Sequence, residues 1–253
     1  MNPSSRLIAL TIAVLPSIAT AESLSTEQAD NISGNLCALS QRITKDYLAI
    51  GAEVRPGKMA EDMKSSVEQF ESKLQQLQEY ASQHKLESEL ENLISRWQVF
   101  QQDLAHQPSI ENAPQLIADS DLLLTACNQT ADAISQQPGA GNVELVAMSE
   151  RGATLSQIIA RDYFALYWKI NETQMRDGLV LAVKDFDSHL DNLIKANGNN
   201  QQHRELLNKI QTQWQFSRSG FELSEGSQLV PVVVNATTNS IYSKMTELAS
   251  AYQ

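Results

Sequence analysis

Gly34, Cys37, Gln41 and Lys45 recur at three- and four-residue steps, which places them on one stripe of an α-helix. An ammonium, an amide and a length of bare backbone on one face can hold a small polar ligand such as an anion, or can admit a second helix at close range. A solvated surface is the ordinary reading of such a face. Glycine in mid-helix costs about 1 kcal/mol relative to alanine, however, and only close approach of a partner to the backbone offsets that cost. An interface is therefore expected. The same stripe returns later in the chain as Glu150, Ala153, Gln157 and Arg161.

Other chemistry is not signalled. His84, His106, His189 and His203 have no metal-ligand spacing, and neither a zinc-type cysteine pair nor a haem-attachment motif is present. Ser40 and Ser156 lack a histidine at helical spacing, and the nucleophile-elbow pattern is missing. No enzyme activity, cofactor or metal is expected. Tyr47 and Tyr163 fall on apolar stripes, Asp46 and Asp162 read as surface charge partners, and His84 and His203 read as solvated residues near helix ends.

The element carrying the stripe is a helix whose opposite face holds Ile32, Leu36, Leu39, Ile43, Tyr47 and Ile50. After Pro56-Gly57 a second helix carries Met59, Met63, Val67, Phe70, Leu74 and Leu77, and a third carries Leu90, Leu93, Ile94 and Trp97. Asn112 and Pro114 open a fourth, with Leu116, Leu123 and Ile134. The series then repeats in register: Ser33/Ser149, Leu39/Leu155, Gln41/Gln157, Asp46/Asp162, Tyr47/Tyr163, Met59/Met175, Phe70/Phe186 and Leu77/Leu193, with Trp97 opposite Trp214 after a one-residue slip. The segment Leu229 to Thr238 is rich in β-branched residues and suits a strand by propensity. It occupies the fourth-helix slot of the second copy, and Pro231 suits a first helical turn, so a helix is expected. The fold predicted is all-α, two tandem up-down four-helix bundles: residues 22–137, a Pro/Gly linker at 138–142, and residues 143–253.

Residues 1–21 read as a secretory leader, with Arg6, an apolar run from Leu7 to Leu15 and a small-residue cleavage site ending at Ala21. That run falls far short of the ~20 residues of a membrane span, so a cleaved, periplasmic chain is expected in preference to an uncleaved anchor. The net charge of −11 works against nucleic acid and anionic lipid as partners. Two cysteines in a secreted chain invite a bridge. Cys37 and Cys127 sit on neighbouring antiparallel helices at comparable heights, so a Cys37–Cys127 disulfide is expected; a free buried Cys127 and an intermolecular bond through Cys37 are the alternatives.

The stretch Asn31 to Leu48 resembles the opening helix of the periplasmic sensor domain of type IV pili methyl-accepting chemotaxis transducers and nitrate/nitrite sensor kinases. Asn31, Gly34, Leu39, Ser40, Gln41, Arg42, Lys45 and Tyr47 match its pattern; the second copy keeps Leu155, Ser156, Gln157, Arg161 and Tyr163. The resemblance implies a helical sensory module, which in nitrate-sensing members holds an anion between two first helices through a pair of arginines and backbone near the glycine. Cys37 and Ala153 stand where that arginine is expected, which sets this chain apart. Gly34, Gln41, Arg42, Lys45, Gln157 and Arg161 are the ligand-binding candidates, for a small anion or metabolite. The signal is expected to pass to a membrane-bound receptor or kinase. A ligand-free adaptor that binds another protein through its first-helix faces is the alternative. The duplication suggests that the chain opposes its own two first helices as a pseudo-dimer, the other arrangement being two separate lobes.

Overall fold

In the computed structural model, residues 24–138, 143–223 and 228–253 are described; the leader and residues 139–142 of the expected linker lie outside them. The described residues form eight α-helices and no strand: α1 Thr26–Gly51, α2 Pro56–His84, α3 Glu87–Leu104, α4 Ala113–Ser135, α5 Val143–Tyr167, α6 Glu172–Lys195, α7 Gln201–Ser217 and α8 Pro231–Ala251, with a 3₁₀ turn at Arg218–Phe221. The helix starts follow their local chemistry. Ser25 and Gln28 form a capping box on α1, Asn200 and His203 do so on α7, and prolines occupy the first turns of α2, α4 and α8. Asn112 holds the cap position of α4 without a capping bond from its side chain, whose amide reaches the Gln107 carbonyl instead. The β-branched segment is helical from Pro231, with Val234 and Thr238 buried.

Within each half the helices pack as a ring in chain order, α1 to α4 and α5 to α8. One core gathers Leu36, Leu39, Ile43, Phe70, Trp97 and Leu123, the other Ile159, Tyr163, Phe186, Trp214 and Ile241. Phe70 stacks on Trp97 at 3.9 Å, and the corresponding Phe186 and Trp214 lie 4.4 Å apart. The sequence repeat has a counterpart in the backbone. Left-handed φ values recur at Glu53 and Arg55 between α1 and α2, and at Lys169 and Asn171 between α5 and α6.

The two rings share a seam in which α1 lies against α5. Gly34 faces Glu150 near one end and Gly51 faces Trp168 near the other, so the two helices run parallel and in register. Each central helix is thus covered on both sides, and almost every residue of α1 between Thr26 and Ala49 is buried. The opposed first helices are what the pseudo-dimer reading expects.

Candidate functional site

The seam has two ends of different character. At the end nearer Gly51, each central helix sends a basic residue across to the other ring. Lys45 Nζ donates to Asn235 Oδ1 at 2.8 Å and Asn239 Oδ1 at 3.0 Å on α8, and lies 3.0 Å from Asp46 Oδ1. Arg161, its counterpart on α5, donates to Asp121 on α4, to Asp162 Oδ1 at 2.8 Å and to Gln41 Oε1 at 2.6 Å. Gln41 Nε2 in turn donates to the Ser120 hydroxyl at 3.0 Å, and Gln157 Nε2 donates to the Thr238 carbonyl at 3.2 Å. Arg42 sits with its guanidinium 5.1 Å from the centre of the Tyr242 ring.

Burial sets the electrostatics here. It pushes Lys45 down and Asp46 up, each opposed by the other's charge, and it pushes Asp162 up against the pull of Arg161. Asp46 and Asp162 are therefore not surface partners, as the sequence suggested; both are buried beneath the basic residue that precedes them. Tyr47 and Tyr163 are core residues, as expected. His203 departs from expectation: it is buried, caps α7 and contacts the Ala251 carbonyl.

At the other end, α1, α4 and α5 diverge around an open cavity of about 700 Å³. Asp30, Gly34 and Cys37 line it from α1, Asp132 from α4, Val143, Glu144, Met148, Glu150 and Arg151 from α5, and His189 from α6. Gly34 permits the closeness of the helices, since a Cβ there would stand 2.5 Å from the Glu150 Cβ. Asp30 and Glu150 are 2 % and 1 % exposed; no donor reaches the Asp30 carboxylate, and only the Asn35 amide comes near that of Glu150, short of a well-formed hydrogen bond. The nearby Asn35 amide donates to the Tyr242 hydroxyl at 3.2 Å. Burial raises Glu150 to about 8, with Lys73 pulling the other way, and burial together with Asp132 raises Asp30 to about 7. Burial lowers His189, which contacts the Met148 carbonyl.

Of the ligand-binding candidates, only Gly34 faces this cavity; Gln41, Lys45, Gln157 and Arg161 are engaged within the seam and Arg42 lies on Tyr242. Asp30 was not singled out from sequence, and Glu150 was placed on the second copy's stripe but not among the ligand-binding candidates. Asp30 stands one helical turn before Gly34, and Glu150 is the residue that replaces the glycine in the second copy, which are the signals that could have marked them. Cys37 and Cys127 are both buried and free, and their thiols are close enough to hydrogen-bond.

The sequence family described as type IV pili methyl-accepting chemotaxis transducer N-term matches residues 18–120, which bears out the resemblance seen in the first copy. The match ends before α5, so the second copy rests on the internal repeat alone. No curated protein and no solved structure matches the chain. Among the described residues no helix is long and apolar enough to cross a membrane, and no group of three or more His, Cys, Asp or Glu side chains is placed to hold a metal ion.

Proposed function

We propose that the protein is a periplasmic sensory module that binds a small ligand in the cavity between α1, α4 and α5 and passes the signal to a separate membrane-bound partner. In this reading residues 22–137 and 143–253 are two copies of one sensor unit, fused so that a single chain supplies both first helices. The observation that carries it is the pair of buried carboxylates without ion-pair partners at the open end of the α1/α5 seam, in a chain whose residues 18–120 match a chemotaxis-transducer N-terminal family. Buried carboxylates without ion-pair partners are costly to keep for stability alone.

A thermal-shift screen of residues 22–253 against amines, amino acids, carboxylates, nitrate and nitrite tests this, because a ligand of the native state raises the melting temperature, with the logarithm of its concentration once that exceeds the dissociation constant. The adaptor reading has its own support: Gln41, Lys45, Gln157 and Arg161 are engaged inside the protein, and Cys37 and Ala153 stand at the arginine positions. Silence across the screen, with a partner captured by in vivo cross-linking, would establish it instead. Periplasmic export is checked by the mass of the secreted chain, which cleavage after Ala21 fixes.

A further inference from the structure

The cavity's polar groups are graded from inside to outside. At its floor lie Asp30 and Glu150, both buried, Asp30 without a donor and Glu150 with only the Asn35 amide nearby. At its rim lie Asp132 and Glu144, both exposed, and between the two levels Val143 and Met148 supply apolar surface. A buried carboxylate gains most from a ligand that brings N–H donors and a positive charge, and an ammonium brings both. An anion meets the opposite: four carboxylates line the cavity against one guanidinium, Arg151.

We propose that the cavity binds a small aliphatic diamine, its inner ammonium held by Asp30 and Glu150, its outer one by Asp132 and Glu144, and its methylenes laid along Val143 and Met148. The proposal rests on the ligand-binding reading above and specifies its ligand as a cation, where the resemblance to nitrate sensors suggested an anion. The charged and titratable groups around the site are Asp30 and Cys37 on α1, Lys73 on α2, Cys127 (against Cys37) and Asp132 on α4, Glu144, Glu150 and Arg151 on α5, His189 backed by Asp185 on α6, and Tyr242 on α8. Without ligand, Glu150 and Asp30 hold protons up to about 8 and about 7. An arriving ammonium displaces those protons, so diamine binding tightens as the pH rises and releases protons to the buffer.

The test is isothermal titration of residues 22–253 with putrescine at pH 6.5 and 8.5, in two buffers of different ionisation enthalpy, with nitrate and succinate as controls. Binding is expected to be about tenfold tighter at the higher pH, with measurable proton release. Glu150→Gln and Asp30→Asn, each checked for native helicity by circular dichroism, are each expected to weaken it at least about tenfold, the scale of one charge-assisted hydrogen bond. Putrescine binding that neither variant changes would overturn the assignment of the site. Nitrate or succinate binding without putrescine would overturn the diamine and leave the sensory reading standing. No heat from any of the three, together with a silent thermal-shift screen, would remove both.

Discussion

The two ends of the α1/α5 seam are built from equivalent helices and behave oppositely. Towards Gly51, Lys45 and Arg161 cross between rings and find carboxylates and amides, so the buried charges there are paired and the seam is closed. Towards Asp30, the same two helices bury carboxylates that form no ion pair among the described residues, and the seam opens into a cavity. A buried ion pair contributes little net stability, but breaking one is expensive. A buried unpaired acid is already expensive, so removing it is cheap. Polar burial thus fixes the arrangement of the rings at one end and leaves buried acids without ion pairs at the other.

The largest expected effect is at the closed end. Arg161→Ala strands Asp162 and the Gln41 carbonyl, and should cost about 3–5 kcal/mol in urea denaturation. A loss below about 1 kcal/mol would show that the closed end is not held by its ion pairs.

Next comes the bridge expected from sequence. Cys37 on α1 and Cys127 on α4 are free thiols within hydrogen-bonding reach of each other, and oxidation closing a loop of this length should stabilise the chain by up to roughly 4 kcal/mol. Burial raises the Cys37 thiol, so oxidation should be slow in the folded state. Non-reducing peptide mapping decides: both thiols alkylated after export and refolding under oxidant would exclude the pairing.

The open end predicts a pH dependence of the opposite sense to that of a paired carboxylate. Glu150 and Asp30 are raised in the native state to about 8 and about 7. Below the ordinary carboxylate range both states are protonated and this contribution is fully present. Between about pH 4 and pH 8 the unfolded chain gives up these protons while the native state still holds them, so stability falls through that window, by about 3 kcal/mol or more, and levels off once the native groups ionise. Glu150→Gln should flatten most of that decline in denaturation curves taken across the range, and a profile identical to wild type would mean that water already solvates the carboxylate.

Much of this fold could be read from the residues themselves. The three- and four-residue spacing of Leu36, Leu39, Ile43 and Tyr47 marks a helix, and the repeat of that spacing at Leu155, Ile159 and Tyr163 marks the duplication. The depth of the polar stripe could not be read. A helical wheel assigns angles, and a helix shared by two rings has no solvated side, so Asp46 and Asp162 looked exposed and proved to be buried. Nor could the cavity be foreseen: Glu150 is one charge in a sequence of 30 acidic residues until Gly34 is seen to lie beneath it.

Gly34 tests how closely the open end must be held. Alanine there gains about 1 kcal/mol of helix propensity but places its Cβ 2.5 Å from the Glu150 Cβ, an overlap worth about 1–3 kcal/mol. A net loss of about 1 kcal/mol is expected. Glu150→Ala should not relieve it, because the contact is with the Cβ that alanine retains. Full rescue by that second change would mean that the side-chain end, not the helix approach, sets the clash.

The smallest effect separates packing from ligand binding at Arg42, which matches the family motif yet lies away from the cavity. Its guanidinium rests 5.1 Å from the centre of the Tyr242 ring, joining α1 to α8 across the seam. Arg42→Gln should therefore lower stability by about 0.5–1 kcal/mol, the scale of a partly exposed cation–π contact. Tyr242→Leu in the same background should add less than it does alone, since the two changes remove one interaction. Ligand affinity should be unaffected by Arg42→Gln, because the residue does not line the cavity. A variant that kept its stability and lost its ligand would place binding on the motif face of α1 and transfer the functional role from the open end of the seam to the closed one.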